Sequence, residues 1–279
     1  MLFIMKKILV PVDFSECSEY ALEVASNLAK EYNAEVIALH MLMSDTPSAS
    51  TNKEMPEGMF YIKLAEKRFE DFLDKDYLEG VTIRDAVYNY KKFDELNTFA
   101  IDNDIDLIIM GSHGSSGLSE VFVGSNTEKV VRSSDIPVLV VKKGLRNFKV
   151  KNVVFACDFT DENLTAFENA MKLFKSLDNA KVKLLFVNLP GQNFRSSKEM
   201  EARVREFLFK ADALNQLDNV VYYNDYTVED GIFHYSNKMG VDAIALPTHG
   251  RRGLAHFFTG SISEDLVNHS KIPVITFRL

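Results

Sequence analysis

Cysteine is scarce: the 279 residues hold two, Cys17 and Cys157. They are far apart and form no Cys-x-x-Cys, so neither a disulfide framework nor a structural zinc site is expected, and a reducing cytoplasm suits the chain. Long apolar runs are missing too. Met1 to Met5 is apolar, but Lys6 and Lys7 follow at once and Ile8 to Val12 reads as a strand, so neither a signal peptide nor a membrane span is expected. Basic charge is in deficit. Lys and Arg number 32 against 40 Asp and Glu, giving a net charge of −8 and a pI near 5.4. General nucleic-acid binding would need a basic face to neutralise phosphates. The chain does carry 46% hydrophobic residues, ordinary for a protein with a real core, and its length suits one large or two medium domains.

Strands and helices alternate along it. Lys7 to Val12 reads as a strand, Ser15 to Lys30 as a helix, Glu35 to Met41 as a strand and Ser44 to Glu57 as a loop broken by Pro47 and Pro56. Met59 to Tyr77 reads as a helix whose charges, Lys63 to Lys75 among them, form a solvated face. Then come Val81 to Tyr88 (strand), Phe93 to Asn103 (helix), Asp106 to Met110 (strand), Leu118 to Ser133 (helix) and Pro137 to Lys142 (strand).

After a linker at Lys143 to Lys149 the pattern restarts. Val153 to Phe159 echoes Ile8 to Phe14, and Asp242 to Leu246 echoes Asp106 to Met110. Gly250 follows Gly114 by 136 residues, as Gly260 follows Gly124 and Pro273 follows Pro137, whereas Asp158 follows Asp13 by 145. The nine-residue difference is expected in the Ser44 to Glu57 loop. The chain thus reads as two copies of one β-α-β-α-β-α-β-α-β unit, residues 1–146 and 147–279. Near-continuous apolar strands alternating with helices imply an α/β fold with parallel sheets covered on both faces, and ligands bind such sheets at the carboxyl ends of the strands.

Two loops of the first half are equipped for that place. One follows the first strand at Pro11, Val12 and Asp13. The other runs from Gly111 through His113 and Gly114 to Gly124, Ser125 and Asn126, where a helix opens. Bare glycine backbone approaches a phosphate closely, and a helix N-terminus offers unpaired N–H donors. A carboxylate beside such a cradle suits a nucleotide. The plain alternative is a tight strand-to-helix turn, with Asp13 capping the next helix.

Gly111, Gly114, Gly124 and Ser125 meet the spacing Gly-x2-Gly-x9-Gly-Ser/Thr. Together with Val-Pro-Val-Asp on the first strand and Ile-Pro-Val near the end of each half, they make the chain similar to the universal stress protein family in its tandem form. The resemblance covers essentially the full length. It implies two five-stranded parallel sheets of order 3-2-1-4-5, HUP/Rossmann-like, packed as a pseudo-dimer. In one branch of the family it also implies ATP, or AMP or ADP, possibly with Mg. Asp13 would then meet ribose or base, Pro11, Val12 and Met41 would flank the adenine, and the glycine-rich backbone would hold the phosphates.

The second half departs from the motif. Pro247 replaces the first glycine and Ala156 the proline before Asp158; Gly250, Gly260 and Ser261 remain, with Arg251 and Arg252 added. Proline fixes φ and removes a donor, while arginine binds phosphate bidentately or is simply solvated. This half is therefore read as a weaker or altered site. His113 and His249 lack a third ligand, so no metal site is expected. Both cysteines are read as packing residues. No lysine follows the glycine-rich loop in the manner of a Walker A motif, and no residue is assigned a catalytic role. The favoured function is a cytoplasmic stress regulator that binds ATP without fast turnover. The alternatives are a slow ATPase or adenylate-forming relative, and a protein-interaction module with lapsed nucleotide sites. A protein partner stays unknown, and homodimerisation is open.

Overall fold

The computed structural model describes residues 4–43, 55–90, 95–112, 125–177, 180–248, 266 and 270–279. The first half runs β1 (Lys7–Pro11), α1 (Glu16–Tyr32), β2 (Glu35–Met43), α2 (Met55–Leu73), β3 (Ile83–Tyr90), α3 (Glu95–Asp102), β4 (Leu107–Gly111), α4 (Ser125–Ser133) and β5 (Val138–Val141). The second runs β6 (Asn152–Ala156), α5 (Leu164–Ser176), β7 (Lys181–Asn188), α6 (Ser197–Lys210), β8 (Val220–Asn224), α7 (Val228–Met239), β9 (Ala243–Thr248) and β10 (Val274–Arg278). The expected helix from Leu118 lies outside the described residues before Ser125.

Within each half the strands are parallel, in the order 3-2-1-4-5. The two sets form one sheet, β3-β2-β1-β4-β5-β10-β9-β6-β7-β8, because β5 and β10 pair antiparallel. That seam removes two edges that would otherwise be exposed. Alternate side chains feed two cores: Ile8 and Val10 point to one face with Phe155 and Phe277, and Leu9 points to the other with Val154 and Ile244. Both cores cross the seam.

Start and register are fixed by matched aspartates. Asp106 Oδ2 accepts the amides of Lys6 (2.7 Å) and Lys7 (3.0 Å), and Asp242 Oδ2 accepts those of Lys151 (3.0 Å) and Asn152 (2.8 Å). The length difference between the halves can be located from the pairing. Pro11 faces Leu39 and Ala156 faces Leu185, so Leu184 matches Ala38; Ala38 then faces Asp85, while Leu184 faces Val220. The offset falls from 146 to 135 between the second and third strands; the Ser44 to Glu57 loop expected to hold the difference lies, up to residue 54, outside the described residues.

Two boundaries differ from expectation. Pro56 lies inside the first turn of α2, where a missing N–H costs nothing. That helix stops at Leu73, and a separate 3-10 turn, Asp76–Leu78, carries Tyr77.

Candidate functional site

At the carboxyl end of β1 the chain turns sharply into α1. Val12 is buried and its amide donates to Leu39 O at 2.8 Å. Its carbonyl accepts from His40 Nδ1 at 2.7 Å, so that nitrogen carries the hydrogen. Asp13 is exposed, and its Oδ1 accepts the Ser15 amide at 3.0 Å. Ser15 in turn caps α1, accepting from Ser18 N at 3.3 Å. Burial raises the Asp13 carboxyl, but hydrogen bonds from Ser15 and the Ser18 hydroxyl outweigh it and hold the group below the usual carboxylate range. Asp13 is therefore both a turn-former and an ionised acceptor open to solvent.

Between them Phe14 takes φ +64°, a left-handed conformation that costs a non-glycine residue on the order of 1–3 kcal/mol. Its ring is held by His40 (4.6 Å), Phe69 (5.0 Å) and Phe72 (5.5 Å), with the Arg68 guanidinium 4.2 Å above it. The same device recurs in the second half. Phe159 has φ +54° and packs on Phe186 (5.8 Å) and Phe207 (5.4 Å). In both halves aromatic packing offsets the strain that aims the preceding aspartate.

Gly111 is the last residue of β4 and pairs with Val141. A side chain there would place Cβ 1.9 Å from the Cys17 carbonyl oxygen. The motif's first glycine thus lets α1 cross β4 closely. In the second half Pro247 occupies that place, and the helix recedes. α1 begins three residues after Asp13, whereas α5 begins six after Asp158, behind a 3-10 turn at Asp161–Asn163.

α4 opens at Ser125, and Thr127 Oγ1 donates to Gly111 O at 3.1 Å. This bond holds the helix N-terminus at the carboxyl end of β4, beside the Asp13 turn of the neighbouring strand β1. Asn126 is exposed in that first turn, and Met41 is half-buried near the end of β2. The structure thus gathers Pro11, Val12, Asp13, Met41, Gly111 and Asn126 at one end of adjacent strands. His113, Gly114 and Gly124 lie outside the described residues, as do His249, Gly250, Arg251, Gly260 and Ser261.

Asp158 differs from Asp13. Its Oδ1 accepts from Thr160 N (3.1 Å), Thr160 Oγ1 (2.8 Å) and Asn163 Nδ2 (2.6 Å), and its Oδ2 lies 3.9 Å from Arg203 Nη2. Arg203 stands on α6 where Arg68 stands on α2, by the match of Phe207 to Phe72 and Val204 to Phe69. Nothing in the local spacing singles out either arginine. The Asp-Phe dipeptide repeated in both halves is the signal that points to their neighbourhood. Arg68 is exposed, as its helix face was expected to be, and reaches over the Phe14 ring from there.

Burial raises the Cys17 thiol, and the charges of Asp13 and Glu16 raise it further; burial alone dominates at Cys157. Both are held as thiols, which agrees with packing roles. Among the described residues no group of three or more His, Cys, Asp or Glu is placed to hold a metal ion, and no helix is long and apolar enough to cross a membrane.

The family model described as "Universal stress protein family" matches the chain twice, over residues 5–142 and 149–278. The chain belongs to the universal stress protein family. Single-unit relatives match half of this tandem universal stress protein. Universal stress protein MJ0577 of Methanocaldococcus jannaschii is 36% identical over 156 residues, which is 50% of this chain and 95% of the relative. Universal stress protein YxiE of Bacillus subtilis is 33% identical over 145 residues, 49% of this chain and 98% of the relative. Among solved structures, a universal stress protein from Archaeoglobus fulgidus superimposes with a TM-score of 0.72 at 21% identity, covering 99% of both chains. That likeness establishes the tandem fold. Membership in the family places the protein in stress response.

Proposed function

We propose that the first half, residues 1–146, binds an adenine nucleotide, with ATP as the leading ligand, and that the protein acts as a cytoplasmic stress regulator without fast turnover. The observation that carries this reading is the contrast between the two aspartates. Asp13 presents an ionised, solvent-facing carboxylate, whereas Asp158 is taken up by Thr160, Asn163 and Arg203.

The residues fit the group. Asp13 would accept hydrogen bonds from ribose or base hydroxyls and amines. Val12 and Met41 would supply apolar contact to the base. The first amides of α4, at Ser125 and Asn126, would donate to phosphate oxygens, favoured by the partial positive charge of the helix end. His113, Gly114 and Gly124 would extend that cradle. In the second half the residues 147–279 keep Asp158, Gly250, Arg251, Gly260 and Ser261 for at most a weaker nucleotide site.

The test is calorimetric titration of the purified protein with ATP, with and without magnesium, after any co-purified nucleotide has been removed and identified. One tight site per chain and negligible phosphate release support the reading. Two equal sites, no binding, or sustained turnover would overturn it.

A further inference from the structure

The seam leaves the ten-stranded sheet with two outer edges, β3 and β8. They are guarded differently. β3 carries Arg84, ion-paired to Glu35 at 3.6 Å, and the exposed Asp85; charges on an edge strand oppose its pairing with a further strand. β8 reads Val220-Val221-Tyr222-Tyr223-Asn224, with neither charge nor proline. Among the described residues β7 is its only strand partner. An uncharged open edge is a template for another strand.

Alternation decides which backbone groups are free. The Asp225 amide donates to Asn188 O at 3.2 Å, so residues 221 and 223 also turn their N–H and C=O toward β7. Val220, Tyr222 and Asn224 turn theirs outward. Apolar surface lies at both ends of the strand. Phe209, near the end of α6, and Leu214, which opens the 3-10 turn Leu214–Asn219, are exposed on the approach to Val220, and Tyr226, two residues past Asn224, is 84% exposed. The turn before β3 instead buries its leucine, Leu78.

Two charges mark the middle of the strand. Burial raises the Tyr222 hydroxyl, Glu201 raises it further and Arg205 lowers it, so both charged groups act on that ring. Glu201 and Arg205 are exposed, about one turn apart on α6, and neither has an ion pair among the described residues. Because β7 and β8 are parallel, α6 returns antiparallel to them. Glu201 therefore lies toward the carboxyl end of β8 and Arg205 toward its amino end.

We propose that the β8 edge docks a second copy of this chain, the two β8 strands pairing antiparallel about a twofold axis at Tyr222. Tyr222 then exchanges both backbone hydrogen bonds with its own counterpart, and Val220 of each copy does so with Asn224 of the other. Every outward donor and acceptor of the strand is matched. The axis also carries Leu214 of each copy toward Tyr226 of the other, and Glu201 of each toward Arg205 of the other. An unrelated strand would satisfy the backbone but not these two charges. The β5–β10 seam joins the halves by the same operation, so the dimer prolongs one continuous sheet. None of this depends on the nucleotide reading.

The test follows the mass of the intact protein by sedimentation equilibrium from about 1 to 100 μM, the range that suits an interface of small size. A reversible monomer–dimer equilibrium is expected. Tyr222→Lys sets like charges opposite each other and should weaken the dimer tenfold or more, with the melting temperature near that of the parent. Glu201→Arg and Arg205→Glu should each weaken it, and the double exchange should restore it. Asp85→Lys, on the other edge, should leave it unchanged. A monomer throughout, a dimer indifferent to Tyr222→Lys, or a double exchange no better than the single ones would each overturn the proposal. The first would leave the edge to a different partner, the second would place the dimer contact elsewhere, and the third would remove the twofold axis from Tyr222.

Discussion

Leu139 lies directly opposite Ile275 in the antiparallel seam, and each is the other's counterpart in the repeat, 136 residues apart. The flanking pairs, Val138 with Thr276 and Val140 with Val274, exchange under the same relation. A pseudo-twofold axis therefore passes through the Leu139–Ile275 pair, the arrangement of an isologous dimer within one chain. Polar ties cross beside it. Arg278 Nη1 donates to Asp135 Oδ1 (2.7 Å) and Ser133 O (3.1 Å), and Asp135 is held in turn by Asn97.

Since both cores run across this seam, the two halves should unfold together. Calorimetry is expected to show one transition. Leu139 is fully buried, and Leu139→Ala should cost about 2–5 kcal/mol without splitting that transition. Two separate transitions in the parent protein would count against a shared core.

Gly111 and Gly144 make a paired test of packing. Alanine at Gly111 would meet the Cys17 backbone at 1.9 Å, and neither α1 nor β4 has room to yield. Gly111→Ala should lower stability by about 3 kcal/mol or more, at the upper end of overpacking costs. At Gly144 the nearest atom is a Glu23 carboxylate oxygen at 2.6 Å, the far end of a flexible side chain. Gly144→Ala should change stability by about 0.5 kcal/mol or less. Denaturant midpoints of the two variants compare these directly.

The repeat and the parallel sheets were legible because each rests on pattern, matched segments and apolar strands alternating with helices, whereas the strand order and the pseudo-dimer were implied by the family resemblance. Gly111 was legible as a required glycine, but the reason was not. Sequence shows where a side chain is missing and not which neighbour forbids it, and the neighbour is a carbonyl 94 residues away at Cys17. Arg68 and Arg203 were illegible for a similar reason. A charged residue on an amphipathic helix has the same periodicity whether it meets solvent or reaches over an aromatic ring. Pro56 misled because a breaker and a first-turn proline look alike until the helix start is known.

His234 provides a pH signature. Its Nδ1 lies 2.7 Å from Asp225 Oδ2, and that hydrogen bond raises the imidazole above its ordinary 6.5 while holding Asp225 below the usual carboxylate range. A raised folded pKa means that protonated His234 favours the folded state. The contribution is fully present below pH 6.5 and is lost as pH rises through the folded value. NMR titration should find His234 titrating above 6.5 and returning toward that value in Asp225→Asn. An unshifted parent would mean that the pair does not persist in solution.

Asp13 and Asp158 separate recognition from architecture. If Asp13 accepts from ribose or base, Asp13→Ala should weaken ATP and adenosine alike, by roughly ten- to a hundredfold, since a hydrogen bond to an ionised partner is worth about 1.5–3 kcal/mol. It should also lower stability by about 1 kcal/mol, because the Ser15 amide loses its acceptor at the head of α1. Asp158→Ala should do the reverse. It leaves Thr160 without its acceptor and the buried Asn163 amide with only Thr160 Oγ1, and should cost about 1–3 kcal/mol, with ATP affinity unchanged. Gly124→Val completes the set, weakening ATP more than adenosine because only ATP brings phosphates to the glycine-rich loop. Measuring melting temperature and both affinities on all three variants decides the matter. Should Asp13→Ala lower stability and spare both affinities, the carboxylate is a helix cap alone and the first half's nucleotide reading falls with it.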